Sequence, residues 1–329
     1  MKYFLGIDIG GTKCAVTAKE KDDAAILQKI TFATESSRGW QAVVDDIIST
    51  VGKVLQNINA SRSDILAAGI SCGGPLDSKK GIIMSPPNLP GWNNVPVCEI
   101  IGNHFGIPVF LQNDANACAV AEWKFGAGRG CRNMIFLTFG TGMGAGLILN
   151  GNLYCGTNDL AGEAGHIRLA QNGPDGYGKE GSFEGFCSGG GIERYAKQRA
   201  KAFLQSDKTS SLFSAENDIE NITAKSLAEA AENGDEFSVE IYKNCGAKLG
   251  EGLAVLVDIL NPECIVIGSI YARSENLLRS SMLETLHKEA LPQSLSVCRI
   301  VPAALGENIG DYAALGTAED GYERMSSDE

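Results

Sequence analysis

Tyr3-Phe4-Leu5-Gly6-Ile7-Asp8-Ile9-Gly10-Gly11-Thr12-Lys13-Cys14-Ala15-Val16-Thr17-Ala18-Lys19 is the stretch whose pattern decides the fold. Tyr3–Ile9 has the run of apolar residues expected of a buried strand, Gly10-Gly11 forms a turn, and Lys13–Lys19 returns as a second strand. The same unit recurs at residues 133–149. There Asn133–Phe139 is the strand, Gly140-Thr141-Gly142-Met143-Gly144 the turn and Ala145–Leu149 the returning strand. Two related halves with a cleft between them account economically for that repeat.

Working outward, Ile26–Phe32 adds a third strand to an opening meander. Trp40, Val43, Val44, Ile47, Ile48, Val51, Val54, Leu55 and Ile58 then share one face at helical period, which predicts an amphipathic helix. Ala67–Ser71 and Val109–Gln112 read as short buried strands, separated by a Pro- and Gly-rich loop from Ser85 to Pro96, and Asp114–Phe125 reads as a helix. The second half continues with Asn150-Gly151 as a hairpin turn. Helices are predicted around Ile192–Leu204, Ser226–Asn233, Glu236–Leu260, Glu275–Ala290 and Ile309–Gly321, and strands at Cys264–Gly268 and Val297–Val301. Pro262 stops the longest helix because it cannot continue the ladder. Strands alternating with helices give an α/β class, and the acidic tail Met325–Glu329 is expected to fray.

Composition narrows the function. The 329 residues are enough for about two domains. With 28 basic and 40 acidic side chains the net charge is −12, which disfavours nucleic acid and anionic membranes as partners. No apolar run is long enough for a membrane helix, and the opening residues meet Asp8 too early for a signal peptide. The ten cysteines stand singly with no Cys-x-x-Cys, as expected of reduced thiols in a cytoplasmic protein. Forty glycines point to tight turns and close backbone approach to a ligand.

Three segments carry chemistry. Asp8-Ile9-Gly10-Gly11-Thr12-Lys13 exposes backbone N–H groups at a glycine turn, a nest suited to anions. Asp8 could hold Mg²⁺ through water, with Thr12 and Lys13 reaching phosphate oxygens; the alternative is an ordinary hairpin. Phe139-Gly140-Thr141-Gly142-Met143-Gly144-Ala145-Gly146 offers a second nest, its four alternating glycines read as one wide donor array. It does not fit Gly-x-Gly-x-x-Gly, and a strand follows it, so a dinucleotide site is disfavoured. Gly173–Gly178-Lys179 mimics a P-loop, but Glu180 stands where a hydroxyl must meet magnesium. Gln112-Asn113-Asp114-Ala115-Asn116-Ala117 places a carboxylate at a strand–helix junction. Asp114 is then either a helix N-cap or a general base for a substrate hydroxyl, and two phosphate nests favour the base.

These segments, with Pro87-Asn88-Leu89-Pro90-Gly91-Trp92 and Gly162-Glu163-Ala164-Gly165-His166, occur in the order and approximate spacing of the ROK family of the hexokinase–actin superfamily. The resemblance runs from Met1 to about Thr317. It implies two ribonuclease-H-like domains flanking a central cleft, one of residues 1–113 plus 306–329 with a returning C-terminal helix, the other of residues 114–305. It implies an ATP-dependent, glucokinase-like sugar kinase, acting on a hexose or N-acetylhexosamine at the 6-hydroxyl, with Mg²⁺ as cofactor and a homodimer as assembly. Asp114 matches the catalytic base, and Gly74, Asn88, Asn113, Glu163, His166 and Glu184 match positions that grip sugar hydroxyls. Asp8, Gly10, Gly11, Thr12 and Lys13 match the first phosphate motif; Thr138, Gly140, Thr141 and Gly142 match the second. Ser188-Gly189-Gly190-Gly191 and Ile267-Gly268-Ser269 resemble segments enclosing adenosine, which brings in Gly190 and Gly268. The alternative is a non-catalytic sugar-binding regulator or sensor of the family without a DNA-binding domain. Regulators of the family carry an N-terminal DNA-binding domain, for which a phosphate motif within ten residues of Met1 leaves no room.

One departure separates this chain from zinc-containing members. Their three zinc cysteines are replaced here by Asp175, Tyr177 and Ser182, while Gly178, Gly181 and Glu184 are retained. A structural zinc needs four ligands, and Cys187 with His166 supplies two. The loop must be held by packing and hydrogen bonds, with Tyr177 and Phe183 expected to form a small apolar cluster and both His166 ring nitrogens available. The purified protein is therefore expected to carry no stoichiometric zinc and to stay folded in chelator. About one zinc per chain after dialysis, or unfolding on chelation, would contradict this.

Overall fold

A computed structural model describes residues 1–205 and 210–327. The first half contains β1 (Tyr3–Ile9), β2 (Lys13–Glu20), β3 (Gln28–Ala33), α1 (Trp40–Asn57), β4 (Ile65–Cys72), a hairpin of β5 (Leu76–Asp77) and β6 (Ile82–Ile83), α2 (Val97–Phe105) and β7 (Val109–Asn113). Next come α3 (Asp114–Lys124), β8 (Met134–Phe139), β9 (Met143–Leu149), β10 (Asn152–Leu153), a hairpin of β11 (Asp175–Gly176) and β12 (Lys179–Glu180), α4 (Phe183–Phe186) and α5 (Gly189–Phe203). The remainder is α6 (Ala224–Glu232), α7 (Glu236–Leu260), β13 (Cys264–Ile267), α8 (Ile270–Glu289), α9 (Pro292–Leu295), β14 (Arg299–Pro302) and α10 (Ile309–Ser327).

The two principal sheets have the same topology. One runs β3-β2-β1-β4-β7, the other β10-β9-β8-β13-β14. In each, the first three strands are antiparallel and the last two join in parallel. The repeat read from residues 3–19 and 133–149 is thus the start of two equivalent sheets. Each has its own core. Leu5, Ile7, Val16, Val44, Ile47, Ile70 and Leu111 pack together in the first. Ile135, Leu137, Phe183, Leu253, Ile267 and Leu278 pack together in the second. The predicted apolar stripe of α1 lies on the first sheet, burying Val43, Val44, Ile47, Val51 and Val54.

The closing helices are exchanged. α3 follows β7 of the first sheet but packs on β8 and β9 of the second; α10 follows β14 of the second and packs on β1 and β4 of the first. The two helices also lie against each other. Such close approach needs residues without side chains. A Cβ on Gly69 of β4 would stand 2.2 Å from the Ala314 carbonyl oxygen and 2.3 Å from the Ala318 nitrogen. One on Gly146 of β9 would stand 2.5 Å from the Ala115 carbonyl oxygen.

Several element bounds differ from the sequence expectation. α10 does not fray at Met325: it stays helical to Ser327, with Arg324 paired to Asp320 one turn back and Ser326 and Ser327 bonding carbonyls in the preceding turn. Residues 328–329 of that tail lie outside the described residues. α8 begins at Ile270 rather than near Glu275, because two helical segments merge across a kink at Ser274. Among the described residues, no helix is long and apolar enough to cross a membrane.

Gly69→Ala should be severe, because backbone must move to admit the methyl. A loss of about 3 kcal/mol, the upper range for overpacking, is expected in chemical denaturation. An unchanged midpoint would show that α10 does not need this contact.

Candidate active site

The first turn is built as a braced hairpin. The Gly10 N–H donates to the Lys13 carbonyl (3.1 Å), while the buried Thr34 hydroxyl donates to the Gly10 carbonyl (2.6 Å) and its N–H to the Thr12 carbonyl (3.0 Å). The N–H groups of Gly11 and Thr12 have no partner among the described residues. Neither Gly10 nor Gly11 has positive φ, so their reason is space rather than conformation. A Cβ on Gly11 would lie 2.6 Å from the Asn88 carbonyl oxygen, and one on Gly73 would lie 3.4 Å from Asn88 Oδ1. The phosphate turn and the Asn88 loop therefore touch, and Gly74 beside them faces open space.

The second turn repeats the plan with a correction. Gly140 N–H donates to the Gly142 carbonyl (3.1 Å), leaving the Thr141 and Gly142 N–H groups without a partner among the described residues. Gly144 and Gly146 are not part of a donor array: they lie in β9, and a Cβ on them would meet Ala115 Cβ at 3.7 Å and Ala119 Cβ at 2.5 Å respectively. Gly146 is small so that α3 can pack, whereas a Cβ on Gly144 would make only ordinary contact. The Thr138 hydroxyl is engaged too, accepting from the Gly144 N–H at 2.8 Å. It braces the turn. Each nest thus offers two free donors.

Asp114 opens α3 directly after β7, but the cap is Asn113, whose Oδ1 accepts from the Asn116 N–H at 2.9 Å. That division of labour leaves the Asn113 amide NH₂ and the Asp114 carboxylate for other work. Asp114 is exposed to the cleft yet crowded by protein, and burial raises its pKa against the bond it accepts from the Ala115 N–H. Asp8 is the next-to-last residue of β1, and its carboxylate has no hydrogen bond among the described residues. Burial, then the Asp311 carboxylate, push it up to about 6, with Asp114 adding and Lys13 and Lys29 opposing. A single unpartnered carboxylate is suited to a hard cation that keeps most of its waters. Asp311, buried near the start of α10 and ion-paired to Lys29, was missed by sequence reasoning. The available signal was Gly310-Asp311 at a helix start. Thr34 gave no signal beyond an ordinary threonine after a strand.

The sugar-matched residues of the second half are brought onto β9. Glu184 Oε2 accepts from the Met143 N–H (2.9 Å), beside the second turn. The 3-10 turn Ala164–His166 carries Glu163 at its start, and the Ala145 N–H donates to the Gly162 carbonyl (2.7 Å). A Cβ on Gly165 would lie 3.2 Å from Glu184 Cβ. Glu163 and His166 are exposed, and the His166 ring has no hydrogen bond among the described residues. At the other end, Ser188 caps α5 through the Gly191 N–H, and the Gly189 N–H donates to the Gly140 carbonyl (2.8 Å). The Gly190 N–H points to the Thr141 carbonyl (3.5 Å), so this helix start secures the second turn. Gly268 is buried against Phe136, and Ser269 lies beside Gly140. Thr12 and Lys13 are exposed.

The expected apolar cluster at the replaced cysteines does not form. Phe183 joins the main core at 0% exposure, whereas Tyr177 is 87% exposed at the tip of the β11–β12 hairpin. Tyr177 and Gly178 both have positive φ there, the geometry of a tight hairpin turn. Ser182 caps α4 instead, accepting from the Gly185 N–H at 3.1 Å. Among the described residues no group of three or more His, Cys, Asp or Glu is placed to hold a metal.

The sequence profile of the ROK family matches residues 4–319. The glucokinase of Thermotoga maritima is 32% identical over 311 residues, covering 94% of this chain and 95% of its own. The xylose repressor of Bacillus spizizenii is 26% identical, covering 93% of this chain and 74% of its own. A ROK family glucokinase from Streptomyces griseus, solved with glucose and AMPPNP, superposes with a TM-score of 0.73 at 30% identity, covering 96% of this chain and 99% of that one. The family thus contains both kinases and repressors.

An ionised Asp8 is a burden on the fold. Its folded pKa of about 6 exceeds the ordinary value of 3.8, so the penalty is present at pH 7 and vanishes below about pH 4, where both states are protonated. Without divalent cation, Asp8→Asn should therefore stabilise the protein by about 1–2 kcal/mol at pH 7, and not at pH 4. A variant less stable than the parent at pH 7 would contradict this.

Proposed function

The chain belongs to the ROK family, and from that membership we propose that it is an ATP-dependent sugar kinase phosphorylating a hexose or N-acetylhexosamine at the 6-hydroxyl. The observation that carries this is the pairing of two turns, each with two free N–H donors, with an uncapped carboxylate at the start of α3. A regulator needs to bind sugar but has no use for a proton acceptor beside phosphate donors.

In the mechanism, ATP lies across the cleft with its phosphates on the N–H groups of Gly11, Thr12, Thr141 and Gly142, and Lys13 adds positive charge. The γ-phosphoryl group passes to the sugar oxygen as its bond to the bridging oxygen breaks and ADP leaves, and Asp114 takes the hydroxyl proton. Its raised pKa makes it a better acceptor than an ordinary carboxylate. Asn113, with its oxygen committed to the cap, offers its amide NH₂ to a sugar hydroxyl. Asn88, the backbone at Gly74, Glu163, His166 and Glu184 supply the remaining sugar contacts. Magnesium held through Asp8, directly or by water, would neutralise charge on the phosphates. Closure of the cleft would keep water from competing as acceptor. Gly190 and Gly268 would border the adenosine. A cytoplasmic homodimer completes the proposal, supported by the resemblance and by ten unpaired cysteines.

The test is ATP turnover with glucose, mannose, fructose, allose, glucosamine, N-acetylglucosamine and N-acetylmannosamine. At least one should be a substrate, and Asp114→Asn should lower its kcat by about 10²–10⁴ while sugar still binds. Sugar binding with no turnover of any member would favour the regulator, and a variant with unchanged kcat would remove Asp114 from its role.

A further inference from the structure

The loop 155–161 leaves β10 and returns on itself, its ends joined by the Ala161 N–H donating to the Cys155 carbonyl at 3.1 Å. Gly156, Asp159 and Gly162 all have positive φ, so the loop is wound tightly rather than extended. Both its feet and its tip touch chemistry-bearing segments. Downstream it runs into Gly162-Glu163, the start of the turn that carries His166. At its upstream foot Cys155 Sγ accepts from Gln112 Nε2 (3.4 Å) and Asn116 Nδ2 (3.7 Å), the residues that flank Asn113 and Asp114. At its tip the Asp159 carboxylate accepts twice from one residue of the opposite half: Ser78 N–H donates to Oδ2 and Ser78 Oγ–H to Oδ1, both at 2.8 Å. Ser78 directly follows β5, four residues after Gly74.

We propose that the Ser78–Asp159 bridge is a clasp across the sugar end of the cleft, and that Asp159 is a positioning residue for the sugar. This rests on the sugar-kinase proposal above. The two walls that grip the sugar belong to different sheets, so their separation is set by contacts between halves. A carboxylate with both oxygens engaged by neighbouring N–H and O–H donors fixes distance and orientation together, and such charge-assisted pairs are the stronger hydrogen bonds. The clasp touches no reacting atom. It holds the walls alike in ground and transition state, so its loss should weaken sugar binding without slowing phosphoryl transfer.

The experiment measures steady-state kinetics of Asp159→Ala, Ser78→Ala, the double variant and Ser78→Thr, on the best sugar of the panel. Sugar KM should rise about tenfold in each alanine variant, as expected for losing one charge-assisted contact. kcat and the KM for ATP should stay within about twofold of the parent. The double variant should be no worse than either single one, because one interaction is removed, and Ser78→Thr, which keeps the hydroxyl, should resemble the parent. Unchanged sugar KM in the alanine variants, a fall in kcat without a change in KM, or Ser78→Thr behaving like Ser78→Ala would each overturn the clasp. If Asp159→Ala does not fold, Ser78→Ala carries the test. A parent protein that turns over no sugar defeats the kinase proposal and this one with it; an active parent matched by its variants defeats the clasp alone.

Discussion

Backbone lying directly on backbone is the constraint from which the rest follows. α10 reaches β4 only because Gly69 has no side chain, and α3 reaches β9 only because Gly146 has none. Each half thereby lends its last helix to the other half's sheet. The exchange sets the position of the carboxylates around Asp8. Asp114 is the first residue of α3, and Asp311 lies near the start of α10, so both arrive at the cleft from helices seated on the opposite sheet. Glu122 ties the two exchanges together. Fully buried, it accepts from the Ala127 N–H (2.7 Å) just beyond α3 and from the Leu305 N–H (3.0 Å) just before α10. A buried carboxylate is costly unless its oxygens are satisfied, and here each oxygen meets one crossing segment.

Seating helix starts at one place concentrates negative charge. The Asp311 and Asp114 carboxylates both act on Asp8, adding to the effect of its burial. Lys29 from β3 offsets Asp311, and Lys13 partly offsets Asp8, but no donor satisfies Asp8 itself. A protein selected for stability alone would place a hydrogen-bond donor there. Leaving the carboxylate unpaired makes sense where a charged ligand is to be bound, and the free N–H groups of each turn lie at the ends of the strands it joins. The same logic separates Asp8 from Asp320, whose pKa burial also raises but which has Arg324 as a partner.

Local chemistry was legible in the sequence and long-range placement was not. The duplicated strand–turn–strand unit, the stripe of α1 and the junction at Asn113-Asp114 follow from periodicity and turn chemistry, and all three appear where their residues predict. The glycines of 140–146 show the limit. Alternation marks them as special, but whether a glycine frees an N–H for ligand or clears space for a helix depends on what lies opposite. Gly142 does the first and Gly146 the second. Asp311 and Lys29 are 282 residues apart and meet only because α10 returns to the first sheet. No local pattern encodes that meeting. Tyr177 failed differently. An aromatic residue suggested burial, but a two-residue hairpin turn with positive φ puts its side chain into solvent.

The loop from Ile167 to Ser182 is fastened through its backbone carbonyls. Three cationic side chains donate into it: Arg168 to the Glu180 carbonyl (2.7 Å), Lys179 to the His166 carbonyl (2.6 Å), and Arg194 twice to the Asp175 carbonyl (3.0 and 2.6 Å). Each contact spans at least 12 residues of sequence, so together they fix the loop in three dimensions rather than along the chain. Hydrogen bonds to charged groups are individually worth more than neutral ones, though exposure weakens them. Lys179 anchors the backbone of His166 itself, and Arg194 links the hairpin to α5, the helix whose start secures the second turn. Glu184 needs none of the three, because the Met143 N–H already holds its carboxylate at β9. The backbone contact that aims Glu184 is therefore independent of the bonds that fasten the loop.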